Sequence, residues 1–103
     1  MHVERDVLYC PICGFKAATL YYIKSHYLNK HRNNYCPICK RCYKRIACHA
    51  FNTWTKQGCM HHAVLYYLTA RRREARGGNN GIWFKRAGEI ALVLLSDENY
   101  RWR

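Results

Sequence analysis

Cys10, Cys13, His26 and His31 follow one another as C-x2-C-x12-H-x4-H, and no other feature limits the fold of this chain as strongly. The knuckle Cys10-Pro11-Ile12-Cys13 keeps two thiolates within reach of one ion. Two imidazoles from a following helix then complete a tetrahedron of the kind zinc takes. His26 and His31 lie about one and a half helical turns apart, so they converge only where the last turn loosens. Four protein ligands leave no open position for a substrate, and the metal is therefore read as structural.

The chain has 103 residues, enough for one ordinary domain or two to three very small modules. Modules of that size need staples, and seven cysteines and six histidines offer disulfides or metal ligands. Residues 1–6 carry no apolar signal-peptide core, and no run approaches the roughly 18 apolar residues of a membrane helix. The sequence thus predicts an intracellular protein with reduced thiols and no membrane contact. Disulfide pairing would also leave an odd cysteine, which favours metal.

Eighteen basic and six acidic residues give a formal net charge of +12, and a closed site of two thiolates around Zn2+ adds nothing to it. The excess is uneven. Residues 1–34 hold five basic and two acidic groups, residues 35–76 nine and one, and residues 77–103 four and three. A polyanion is the natural partner of such a surface, because each neutralised phosphate releases condensed counterions.

Val7, Leu8 and Tyr9 read as a short strand leading into Cys10, and Gly14-Phe15 as the return of a small hairpin. A helix is predicted from about Leu20 to His31, with Thr19 as N-cap and Leu20 and Ile23 on one stripe. Tyr35-Cys36-Pro37-Ile38-Cys39 then repeats Tyr9-Cys10-Pro11-Ile12-Cys13 letter for letter. Tyr43, Ile46, Ala47, Ala50 and Trp54 follow helical spacing up to a stop at Gly58. A further helix is expected from near Cys59 through Val64, Leu65 and Leu68 to Arg71-Arg72-Arg73. Gly77-Gly78-Asn79-Asn80-Gly81 reads as a flexible break. Beyond it Trp83, Ala87, Ile90 and Leu94 share one helical face over residues 82–95, although Gly88 weakens the helix and a buried strand over 90–95 is the alternative. Trp54, Trp83 and Trp102 are expected around the joint between the second unit and the C-terminal segment.

Residues 8–31 resemble the Cys2His2 zinc-finger family, which also places an apolar residue three before the first histidine, here Ile23. The family's usual aromatic four residues after the second cysteine is Ala17 here, and Phe15 stands in for it. The resemblance implies a ββα finger whose reader positions are Thr19, Tyr22 and Ser25, with Tyr21 alongside. None of these is an Arg, Asn or Gln able to make a bidentate base contact, so the finger is expected to hold phosphate through Lys16, Lys24 and Lys30.

In the second unit Cys36 and Cys39 form the knuckle and Tyr43 takes the family's aromatic place. His49 stands three residues after Ile46, as a first finger histidine would. For the fourth ligand Cys59, His61 and His62 all qualify; His62 is preferred, then His61, because either would clamp a following helix onto the knuckle. Cys42 and Cys48 are expected as small, partly buried fillers, since C-x2-C-x2-C lacks the fourth Cys-Pro of an iron–sulfur run. Arg71, Arg72, Arg73 and Arg76 form a basic helix end. Lys40, Arg41, Lys44 and Arg45 form a basic helix start, where positive charge opposes the helix dipole and so points to a phosphate ligand.

Residues 35–95 resemble the small Cys2His2 proteins of crenarchaeal viruses and plasmids. The matching residues are Cys36, Cys39, His49, Gly58-Cys59-Met60-His61-His62 and Tyr66-Tyr67-Leu68-Thr69-Ala70-Arg71-Arg72-Arg73. That likeness implies His62 as the fourth ligand, a DNA-binding regulator, and a host-cytoplasmic setting. The expected fold is a small zinc-stabilised α+β protein in three parts. They are a ββα finger over 1–34, an atypical zinc-bound module with basic helices over 35–76, and a C-terminal helical segment over 77–103 packing on the second. Two structural Zn2+ ions and duplex DNA are the expected cofactor and partner, with an RNA-binding or protein-binding adaptor as the alternative. No small-molecule substrate is expected, and without an acidic metal-ligand cluster beside His61, His62 and Asn79 no catalytic residue is assigned.

Overall fold

The computed structural model describes residues 7–31, 34–70 and 78–102, with side chains in the last stretch from residue 81 onward. Each Cys-Pro-Ile-Cys run turns a minimal antiparallel hairpin. Strand β1 (Leu8–Tyr9) pairs with β2 (Lys16–Ala17), and β3 (Tyr35–Cys36) pairs with β4 (Arg41–Cys42). The amide of Gly14 donates to the Cys10 carbonyl at 2.9 Å, and that of Lys40 to the Cys36 carbonyl at 2.6 Å. Both turns exit through the left-handed region, Gly14 at φ 80° and Lys40 at φ 63°. Glycine adopts that conformation freely, whereas a Cβ there costs about 1–2 kcal/mol.

Among the described residues, four helices follow from local signals. Helix α1 (Leu20–Lys30) begins where the Thr19 hydroxyl accepts from the Tyr22 amide at 3.3 Å, as its capping role requires. It stops one residue short of His31, whose backbone is extended at φ −121°, ψ 163°. Helix α2 (Ile46–Gln57) ends at Gly58, which takes φ 71° and donates its amide to the Trp54 carbonyl at 2.8 Å. Helix α3 (Met60–Thr69) is the buried centre, with His62, Ala63, Val64, Leu65, Tyr66, Leu68 and Thr69 all shielded from water. Its end at Ala70 comes before the arginine run, and Arg71, Arg72, Arg73 and Arg76 lie outside the described residues.

Helix α4 (Gly78–Leu95) decides between helix and strand in favour of helix, and it corrects two expectations. Residues 78–81 are helical rather than a break, because packing of the helix body outweighs the poor propensity of its first turn. The buried stripe is Ala87, Gly88, Ala91 and Leu95, with Trp83, Ile90 and Leu94 half-buried on its flank. Small residues on that stripe let α4 approach α3 closely. A Cβ added at Gly88 would lie 3.2 Å from the Tyr67 ring.

One hydrophobic cluster runs through both hairpin units, from Leu8, Ile23 and Tyr27 through Ile46, Ala50 and Trp54 to α3 and Ala87, Ala91 and Leu95. Trp54 and Trp83 meet edge to face at 5.3 Å beside Phe51, at the joint expected for them. Trp102 does not join them. Its amide donates to the Pro11 carbonyl at 2.9 Å and its ring stands 6.3 Å from Tyr27, so the tail after α4 closes back on the first knuckle. Lys24 also departs from its expected place among phosphate ligands. Its ammonium donates to the carbonyls of Tyr67 and Ala70 and sits 5.3 Å from the Tyr67 and Phe84 ring centroids, capping the end of α3.

Replacing Gly88 by Val should therefore cost about 1–3 kcal/mol through overpacking against Tyr67, read as a lowered thermal midpoint. An unchanged midpoint would show that α4 does not pack on α3 through this glycine.

Candidate metal centres

Helix α1 and the first hairpin bring Cys10, Cys13, His26 and His31 together, and the second hairpin with α2 and α3 brings Cys36, Cys39, His49 and His62 together. Within each group the four ligand atoms all lie within 4.8 Å of one another. Tetrahedral zinc with thiolate and imidazole ligands requires sulfur–nitrogen separations of about 3.6 Å and nitrogen–nitrogen separations of about 3.3 Å. In the first group Cys10 Sγ is 3.4 Å from His31 Nε2, Cys13 Sγ is 3.2 Å from His26 Nε2, and the two Nε2 atoms are 3.2 Å apart. In the second, Cys36 Sγ and Cys39 Sγ lie 3.6 and 3.3 Å from His62 Nε2, and Cys39 Sγ lies 3.6 Å from His49 Nε2. Both donor sets fit one tetrahedral ion each, and two thiolates with two imidazoles are a donor set that suits zinc.

Local backbone geometry makes the convergence work. His26 stays in α1, while the extended backbone of His31 swings its ring out of the helical path and back over Cys10. That resolves the five-residue spacing, which a continuous helix would point about 140° apart. In the second centre His49 comes from the first turn of α2 and His62 from the first turn of α3, so two helices replace one. Aromatic rings steady the first histidine of each pair. Phe15 stacks on His26 at 4.1 Å and Tyr43 on His49 at 3.7 Å, from different offsets after the knuckle.

The three contenders for the eighth ligand separate cleanly. His62 turns Nε2 to the cysteine pair, and its Nδ1 meets Cys59 Sγ at 3.0 Å. Cys59 is thus placed to orient a ligand instead of being one, as outer partners of metal-bound histidines do. His61 faces away, with Nδ1 at 2.8 Å from the Tyr100 hydroxyl and its ring stacked on Tyr100. The sequence had not singled out Tyr27, which is buried between the centres; its spacing of four from Ile23 was the available signal. Burial raises its phenol well above the ordinary value, with the Cys10 and Cys36 thiols adding to the effect. Cys42 and Cys48 are exposed rather than partly buried fillers.

Burial pushes the Cys10 and Cys36 thiols up and the His26, His31, His49 and His62 imidazoles down, His62 to about 4 with help from His49 and His61. The imidazoles are therefore held neutral, as ligands must be, and a cation is what makes the thiolates favourable.

Of the residues expected to meet nucleic acid, Lys16, Tyr21, Tyr22, Lys30, Lys40, Arg41, Lys44 and Arg45 are exposed. Thr19 is spent on its cap, and Ser25 accepts from Asn29 Nδ2 at 3.4 Å. From Val7 to Arg73 the chain contains no Asp or Glu. The acidic residues among those described, Glu89, Asp97 and Glu98, all belong to α4 and the tail.

Two closed clusters of two cysteines and two histidines on minimal hairpins define a small α+β protein able to hold two metal ions. In comparisons with known proteins the chain matches no family, no curated protein and no solved structure.

Native mass spectrometry should find two metal ions per chain, one after His62→Ala, and still two after His61→Ala. Cys59→Ala should keep both ions while weakening the second site about 10–100-fold in a chelator competition. Loss of an ion with His61→Ala would contradict the ligand set. Acid should act through the histidines: a lowered pKa in the fold means that stability is full above about 6.5 and falls as the unfolded chain takes up protons first. Melting temperature and metal retention, followed by circular dichroism and a chromogenic chelator, should fall as pH is lowered from about 6.5 towards about 4, because protons compete with the ion for the imidazoles. Level values across that window would contradict it.

Proposed function

We propose that this chain is a zinc-finger protein that binds duplex DNA as a transcriptional regulator, with two zinc ions as folding elements and the second unit as the principal contact. The observation that carries this reading is the charge around the second knuckle and the start of α2. Lys40, Arg41, Lys44 and Arg45 are all exposed, and α2 has neither a side-chain cap nor an acidic residue in its first turn. Basic side chains there oppose the helix dipole, an arrangement that an anion relieves. Lys40 adds a second cost. It occupies the left-handed position that Gly14 fills in the first knuckle, so its charge is kept where glycine would relax the backbone.

The regulatory part of the reading is supported by the resemblance of residues 35–95 to the small finger proteins of crenarchaeal viruses and plasmids. A closed metal site and a phosphate-holding surface perform no reaction, so no enzymatic activity is proposed. Recognition is expected to rest on backbone charge and duplex shape more than on base edges, because the exposed positions of α1 offer tyrosines instead of Arg, Asn or Gln. One observation favours RNA as a second reading: Tyr21 and Tyr22 are 70% and 58% exposed, and such rings stack well on unpaired bases.

Titrating duplex affinity against salt tests both readings. Each phosphate neutralised contributes about −0.9 to the slope of log K on log salt. Lys40→Gly should make that slope shallower by about one and weaken duplexes of any sequence alike, while raising stability by up to about 1 kcal/mol. Tighter binding to single-stranded RNA than to duplex would move the function to the second reading. Unchanged affinity and slope in the variant would remove Lys40 from the interface.

A further inference from the structure

The outward face of α4 carries a stripe that serves neither the core nor the metal centres. Ile82, Arg86, Glu89 and Val93 recur at i, i+4, i+7 and i+11, opposite the buried Ala87, Ala91 and Leu95. Ile82 is 66% and Val93 70% exposed, so neither side chain has cover within the chain. Beside them Met60, Glu89, Ile90, Val93 and Leu94 line an open groove of about 310 Å3 between α3 and α4.

The order of the stripe is self-complementary. Ile82 and Val93 stand equally far from a midpoint between Ala87 and Gly88, and so do Arg86 and Glu89. A two-fold axis through that midpoint, perpendicular to the helix, sets Ile82 against Val93 of the second copy and Arg86 against Glu89 of the second copy. Every residue then meets an apolar or oppositely charged partner. A parallel arrangement in register would instead oppose Arg86 to Arg86 and Glu89 to Glu89, so charge selects the antiparallel one.

The geometry points to a homodimer of this chain, formed by antiparallel packing of two α4 helices through Ile82, Arg86, Glu89 and Val93. The second copy's Ile82 seats beside Val93 at the edge of the groove, which covers these two exposed apolar side chains. The contact is small, so the dimer is weak and depends on concentration. It turns the single basic surface into two, related by a two-fold axis. The dimer does not rest on the DNA-binding reading and stands or falls separately from it.

Sedimentation equilibrium on the full metal-loaded chain, from about 1 μM to about 1 mM, tests it, with the fold of each variant checked by circular dichroism. The wild type should pass from monomer to dimer within that range. Arg86→Glu and Glu89→Arg should each weaken the dimer at least about tenfold, since each change sets like charges face to face twice per dimer. The double variant, with the pair reversed, should return to within about threefold of the wild type. A wild type that stays monomeric throughout, or forms species larger than a dimer, overturns the proposal. So do single variants that dimerise normally, and so does a double variant as weak as the singles.

Discussion

The placement of His62 on α3 is the constraint on which the rest of the structure depends. Its Nε2 faces both cysteines of the second knuckle, its Nδ1 is held by Cys59, and its backbone belongs to the most buried helix of the fold. A hairpin with two residues per strand has almost no stability of its own. A metal ion held by this cluster would tie the second hairpin to α3 and bring α2 with it through His49. The first unit reaches the same helix by other means. Ile23 and Tyr27 join the shared cluster, and the Lys24 ammonium caps the end of α3. Trp102 then ties the C-terminal tail to the first knuckle.

Much of this was legible because metal-ligand spacing and glycine punctuation are local signals. The first centre, the Thr19 cap, the stop at Gly58 and the preference for His62 all follow from residues close together in sequence. The second hairpin was not foreseen, although its knuckle repeats the first letter for letter, because helical spacing downstream hid the two-residue strands. The roles of Lys24 and Trp102 depend on partners far away in sequence, Tyr67 and Pro11, which no local pattern records, whereas Cys59 lies only three residues before His62 and was weighed as a ligand instead of as its partner. The same holds for 78–81, where packing of Ala87 and Ala91 on α3 draws poor helix formers into the first turn of α4.

The metal centres and the charged surface divide the work of the chain. Both clusters join hairpin cysteines to helix histidines, so an ion held in either would fix geometry and leave no open position for a substrate. Basic side chains gather on the hairpin units, free of any carboxylate from Val7 to Arg73, while the described acidic residues, Glu89, Asp97 and Glu98, lie on α4 and the tail.

Amide hydrogen exchange, followed by NMR while a chelator withdraws metal in steps, tests most directly whether two metal centres hold one shared core. Amides of α1, α3 and α4 should lose protection together as the first equivalent leaves, because either hairpin is anchored to the same buried helix. Full protection persisting in α1 while α2 and α3 exchange freely would contradict it and divide the chain into two independent modules.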